Sequence, residues 1–187
     1  MVKSDNAASP GAGAIVLIGF MGSGKSSVAR LLARDLKREA IDLDKVVEQM
    51  TGRTVAQLFA TQGEAAFRAL ETEALQAALQ TSRIISTGGG VPTQAQNRTL
   101  LKQAPAGTCV VYLKAQPHTL ATRIRRQPGK RPLIDGGAVL NLAQTQARVA
   151  QLLAERAAHY EACADMIIDT DALRLPAVAQ AIAKNLI

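Results

Sequence analysis

Gly19-Phe20-Met21-Gly22-Ser23-Gly24-Lys25-Ser26 carries the pattern G-x-x-x-x-G-K-[ST] and governs how the rest of the chain is read. An apolar run, residues 14–18, precedes it, and Val28, Leu31, Leu32 and Leu36 follow at helical spacing. Together they make a strand, a glycine loop and a helix. Glycines let the backbone curl so that successive N–H groups face phosphate oxygens, and the helix adds its positive N-terminal end. Lys25 has the reach for β- and γ-phosphates, and the Ser26 hydroxyl suits Mg²⁺. An ordinary glycine turn is the alternative. With Gly at about 7% of residues, chance produces the pattern in roughly one chain in a hundred of this length, before the flanking strand and helix are required. A nucleoside triphosphate site is expected, with Gly22, Ser23, Gly24, Lys25, Ser26 and Ser27 around the phosphates.

Strand and helix signals alternate along the remaining chain. Residues 39–42 read as a short strand, and residues 44–50 as a helix with Asp44 near its N-cap and a stop at Gly52. Thr54 caps a short helix over residues 55–60, and Gln62-Gly63-Glu64 opens a longer one. Residues 84–87 form a buried strand running into Gly88-Gly89-Gly90, followed by a helix over residues 93–103. Residues 108–113, continuous and β-branched, read as a central parallel strand. Pro117 starts the next helix, residues 127–138 form a mobile lid, and a long helix spans residues 139–163. A last strand, residues 166–169, and a closing helix, residues 175–186, complete the pattern. The expected fold is a three-layer α/β/α domain over residues 14–187, with a five-stranded parallel sheet and a disordered tail at residues 1–13. Sheets of this kind bind ligands beyond the carboxyl ends of their strands.

Composition narrows the function. The 187 residues hold no apolar stretch of the eighteen or so needed to cross a bilayer, and the first eleven have no signal-like apolar core. Cys109 and Cys163 lie far apart, as free thiols of a reducing compartment do, so a cytoplasmic protein is expected. His118 and His159 have no partners at zinc-ligand spacing. The formal charge of +7 invites a nucleic-acid reading, but only 3% of residues are aromatic and none is Trp. Stacking platforms for bases are therefore missing. The densest basic group, Arg123, Arg125, Arg126, Lys130 and Arg131, better suits a clamp over a bound triphosphate. No nucleic-acid or membrane partner is expected, and a monomer is.

The other motifs fall where the strands end. Asp42 and Asp44 flank Leu43 at a spacing that puts both carboxylates on one side of extended backbone, where they can serve one metal and one substrate. Gly88-Gly89-Gly90 lets the backbone approach a ligand closely. Arg68 has Glu64 four residues before it and Glu71 three after, so an ion pair explains it as well as a substrate role does, and the two coexist. Arg156, with Glu155 and Asp165 nearby in sequence, has the same two readings.

This set resembles the shikimate kinase family across residues 14–186. The matching elements are Gly19 to Ser26, Asp42-x-Asp44, Thr51-Gly52-Arg53 with Leu58-Phe59, Gly63-Glu64-x-x-Phe67-Arg68-x-x-Glu71, the triple glycine, Arg131-Pro132-Leu133, and Arg156 followed by Tyr160. The resemblance implies ATP-dependent phosphorylation of the 3-hydroxyl of shikimate, with Mg²⁺ as cofactor. It implies that Arg68, Arg156 and the backbone of Gly88, Gly89 and Gly90 hold the substrate carboxylate, which a planar guanidinium fork suits. Asp44 would bind the ring hydroxyls and accept the proton of the attacking one. Ser26 would ligate Mg²⁺, supported by Asp42. Lys25 and Arg131 would neutralise the transferring group, and Arg123 would lie against adenine. The chain departs from the family at Ala158, where Pro is common, and at Leu173, where a polar or basic residue is frequent.

Two rivals stay open on sequence. A gluconate kinase shares the phosphate loop but has no evident use for two arginines beside a triple glycine. A kinase-like module that only senses a ligand would not need Lys25, Ser26, Asp42, Asp44 and Arg131 together. A GTPase switch is excluded by the absence of Asn-Lys-x-Asp.

Overall fold

The computed structural model describes residues 13–126 and 140–186. The expected lid, with Arg131 in it, lies outside the described residues, as do residues 1–12 of the expected tail. In chain order the elements are β1 (Ile15–Ile18), α1 (Lys25–Leu36), β2 (Ala40–Asp42), α2 (Leu43–Thr51), α3 (Val55–Leu79) and β3 (Ile84–Ser86). A 3₁₀ turn (Val91–Thr93), α4 (Ala95–Lys102), β4 (Cys109–Lys114) and α5 (Pro117–Arg126) follow. The chain resumes with α6 (Leu142–Cys163), β5 (Met166–Asp169) and α7 (Leu175–Asn185).

All four strand pairings are parallel, in the order β2-β3-β1-β4-β5. Alternation along β1 explains why both faces must be covered. Val16 and Ile18 point into one apolar cluster with Ile85, Val110, Tyr112 and residues of α3. Ile15 and Leu17 point into the other, with Val28 and Leu32 of α1 and Val178 and Ile182 of α7. Each fully buried Ile or Leu contributes about 1.5–3 kcal/mol of transfer free energy, so a one-residue slip of β1 would exchange both layers at once. β1 neighbours β3 on one side and β4 on the other, so the chain's direction across the sheet reverses there. The phosphate loop leaves β1 at that reversal, the place where such sheets open a crevice. Among the described residues no helix is long and apolar enough to cross a membrane.

Three local readings are corrected. The N-cap of α2 is Asp42, whose Oδ1 accepts from the Asp44 N–H at 3.1 Å, and the helix starts at Leu43. The backbone therefore turns between the two aspartates, and Asp44 sits in the first helical turn. The helix expected over residues 93–103 is split into a 3₁₀ turn and α4, with an extended residue, Gln94, between them. The long helix expected from residue 139 begins at Leu142, because Asn141 and Gln144 form a reciprocal capping box. By contrast, Gly63 breaks α3 as the sequence suggests: its φ of 81° and ψ of 175° divide the element at the expected place.

Candidate active site

The phosphate loop is built on glycines that other residues would strain. Gly22 and Gly24 have φ of 80° and 98°, and Gly24 occupies the N-cap of α1 without a side chain to block the helix's first N–H groups. Lys25 opens that helix and folds its side chain back over the loop. Its ammonium donates to the carbonyls of Gly19 (2.8 Å) and Phe20 (2.9 Å). The neighbouring Ser23 hydroxyl is buried and has no hydrogen-bond partner among the described residues.

Ser26 points across to β2. Its Oγ donates to Asp42 Oδ2 at 2.9 Å and lies 3.1 Å from Ser86 Oγ at the end of β3. Asp42 thus spends one oxygen capping α2 and the other on Ser26. Asp44, two residues further on in the first turn of α2, is half-buried. Burial raises its pKa first, then the Asp42 charge, while Lys25 and Arg68 act the other way. A half-buried carboxylate with raised proton affinity, facing a cleft, is suited to accepting a proton.

A Cβ on any of the three glycines after β3 would crowd a neighbour. A Cβ on Gly88 would collide with Glu71 Oε1 and stand 3.3 Å from Asp44 Oδ1. On Gly89 it would stand 3.3 Å from Met21 N in the phosphate loop. On Gly90 it would stand 2.5 Å from the Arg68 guanidinium. Thr87 holds this segment against β1, with both its N–H and its hydroxyl donating to Leu17 O, at 3.2 and 2.9 Å. Met21, Gly22, Gly24, Lys25, Ser26, Ser27, Asp42, Asp44, Thr87, Gly88 and Gly89 consequently line one cleft of about 250 Å³.

Arg68, on α3, makes the ion pairs that its spacing suggests and also lies against Gly90, next to the cleft-lining Gly88 and Gly89. Its guanidinium pairs with Glu71 Oε2 at 2.7 Å and Glu64 Oε1 at 3.0 Å, while its side chain keeps 11% exposure against Gly90. Glu71 is 1% exposed, and its second oxygen has no partner. Burial raises the Glu71 pKa above the ordinary 4.5, with Arg68 opposing. The folded protein therefore binds a proton on Glu71 more tightly than the unfolded chain does. Stability falls as pH rises from 4.5 through the raised value, and the loss is complete above it. Glu71→Gln is expected to flatten that decline and to leave the melting temperature at pH 8 no lower than the parent's. A lower value at pH 8 would show that attraction to Arg68 outweighs burial.

Arg156 projects from α6 with its guanidinium 5.8 Å from the Phe20 ring centroid, a cation–π contact with the phosphate loop. It forms no ion pair among the described residues, and Asp165 is instead the acceptor for the Val110 N–H. Arg123 lies apart from the cleft residues. Its guanidinium donates to the Thr170 hydroxyl (3.0 Å) and carbonyl (2.6 Å) just beyond β5. Sequence reasoning did not single out Ser86 or Thr87 as members of the site. Glu71 was found from its i+3 spacing to Arg68, but Ser86, sixty positions from Ser26, left no signal.

A phosphate loop opening into a cleft lined by two aspartates, at the reversal of a five-stranded parallel sheet, is the arrangement of a P-loop kinase. A family model described as shikimate kinase matches residues 21–187, and the chain belongs to that family. The shikimate kinase of Chlorobium chlorochromatii is 41% identical over 175 residues, covering 92% of this chain and 90% of that protein. The solved shikimate kinase of Acinetobacter baumannii in complex with shikimate is 35% identical, with a TM-score of 0.82 over 94% of this chain and 93% of that one. A gluconokinase from Sinorhizobium meliloti, 19% identical with a TM-score of 0.53 over 94% of this chain and 96% of that one, shares the fold alone. As a family member, the chain is a phosphotransferase with an alcohol acceptor that uses ATP.

Proposed function

We propose that this chain transfers the γ-phosphoryl group of ATP to the 3-hydroxyl of shikimate, a step of aromatic amino-acid synthesis, as a cytoplasmic monomer. The observation that carries the reading is Arg68 seated on Gly90 beside Asp44, at the mouth of the phosphate loop. Asp44 lines one cleft with the phosphate-binding backbone, and Arg68 lies against Gly90, the residue that follows the cleft-lining Gly88 and Gly89.

Arg68 and Arg156, with the backbone of the triple glycine, hold the acceptor's carboxylate, so its ring hydroxyls face Asp44. Asp44 orients the attacking hydroxyl and takes its proton. Lys25 exchanges the carbonyls of Gly19 and Phe20 for phosphate oxygens. Ser26 and Asp42, hydroxyl and carboxylate 2.9 Å apart, are the hard oxygen donors that fit Mg²⁺, which supplies charge neutralisation at the phosphates. Arg123, fixed on Thr170, lies beside the adenine. Arg131 adds positive charge at the transferring phosphoryl group. Transfer asks the protein mainly for alignment and charge.

The test is a coupled assay of ADP release with Mg²⁺-ATP and either shikimate or gluconate. Turnover strictly dependent on shikimate is expected. Turnover with gluconate alone overturns the acceptor assignment, and ATP binding without turnover on either reduces the chain to a ligand sensor.

Gly90→Ala probes the carboxylate end. Gly90 has φ −95° and ψ −8°, which alanine adopts freely, so the added methyl acts only by displacing Arg68. The KM for shikimate should rise at least about tenfold, with the KM for ATP unchanged and the protein as stable as before. An unaltered shikimate KM would remove Arg68 from the clamp.

A further inference from the structure

The two halves of the proposed carboxylate clamp stand on different elements, and one hydroxyl joins them. Tyr160 lies on α6, four residues after Arg156 and on the same face. It is fully buried, and its ring stacks on Tyr112 with 5.1 Å between centroids. Its hydroxyl donates to the Gly89 carbonyl at 2.6 Å. Burial raises the phenol pKa well beyond its ordinary value, with the Arg156 charge opposing, so the hydroxyl keeps the proton it donates. A buried tyrosine with a satisfied hydroxyl is common in cores. Its acceptor here is uncommon, because the Gly89 carbonyl belongs to the peptide that leads into the substrate cleft.

The consequence follows from peptide geometry. Carbonyl and N–H of a trans peptide point in opposite directions, and no described peptide is cis. Anchoring Gly89 O on α6 therefore turns the Gly90 N–H away from α6. The Arg68 guanidinium lies against Gly90, and the Gly90 N–H has no acceptor among the described residues. The flanking carbonyls are held, Gly88 O by the Val91 N–H and Gly90 O by the Thr93 N–H and hydroxyl, but Gly89 and Gly90 have no side chains to resist rotation of the peptide plane between them. Donation to the carbonyl also polarises the peptide and strengthens the N–H as a donor.

We propose that Tyr160 is a positioning residue for the substrate carboxylate: through the Gly89 carbonyl it fixes the Gly89–Gly90 peptide so that the Gly90 N–H meets the carboxylate gripped by Arg68 and Arg156. The proposal rests on the reading of those arginines as the clamp. It makes α6 the carrier of one guanidinium and of the hydroxyl that aims the facing backbone.

The experiment compares shikimate with its methyl ester, in the full chain and in Tyr160→Phe, with Tyr112→Phe as a control that removes a neighbouring buried hydroxyl. The parent should favour the acid strongly. In Tyr160→Phe the KM for shikimate should rise about tenfold, with kcat within about twofold, the KM for ATP unchanged and the ester's KM unmoved. The ester-to-acid ratio of KM values should shrink accordingly, and Tyr112→Phe should retain it. A Tyr160→Phe protein that keeps the parent's ratio overturns the proposal, because loose packing alone would weaken acid and ester together. A parent that uses acid and ester alike sinks the clamp reading itself, which separates the two failures. If Tyr160→Phe does not fold, Tyr160→4-fluorophenylalanine fills the volume without donating, and the same ratio decides.

Discussion

Lys25→Met should lower kcat/KM by at least about 10³ while the protein remains folded, the scale seen when a preorganised donor is taken from developing negative charge. The structure argues for both halves of that expectation. Lys25 is 8% exposed, so its stem is already in an apolar setting that the methionine chain fills. Its ammonium donates to Gly19 and Phe20 carbonyls, which keeps the loop closed on itself before nucleotide arrives. On the proposed mechanism phosphate then replaces the two carbonyls as partner, and the charge keeps an acceptor throughout. Methionine supplies neither state. Steady-state kinetics at saturating substrates, with a thermal melt alongside, would check the prediction. Activity within tenfold of the parent would mean that backbone N–H groups suffice to hold the phosphates.

Asp44→Asn should cut kcat by at least about 10², the lower range for losing a general base. The substitution keeps shape and removes only the ability to take a proton. The side-chain cap of α2 is Asp42 and is left intact, so the substitution removes only the charge of Asp44 from the first turn. Burial and Asp42 both raise the proton affinity of Asp44, and relieving that strain should leave the variant at least as stable. A variant with near-normal kcat and a raised KM for shikimate would assign Asp44 to binding alone.

The sheet and phosphate loop were legible because they rest on local signals. A β-branched run, a glycine loop and an amphipathic helix each declare themselves within a dozen residues, and β1, α1 and β4 lie where those signals put them. The break at Gly63 was legible for the same reason. The cap of α2 was misplaced because Asp42 and Asp44 both have capping side chains, and only tertiary packing chooses between them. Arg68 remained ambiguous since its ion pairs and its contact with Gly90 use the same guanidinium. The Tyr160–Gly89 hydrogen bond joins residues 71 positions apart and involves a backbone acceptor, which no side-chain pattern records. Arg123 has a partner legible only in space, the Thr170 backbone and hydroxyl.

The order of the sheet carries an implication for how such an enzyme can change its acceptor. Asp42, Asp44, Glu71, Arg68 and the triple glycine all come from one unbroken stretch between α1 and the 3₁₀ turn, on the β2–β3 side of β1. Arg123 and Thr170 come from the β4–β5 side. With the proposed residue roles, acceptor choice is close to a cassette, exchangeable while the nucleotide half is left alone. Arg156 and Tyr160 are the exception, reaching across from α6 to the phosphate loop and to Gly89. A transplanted cassette would have to bring that helix face with it, and a lineage acquiring a new acceptor would have to revise two distant stretches of its gene together.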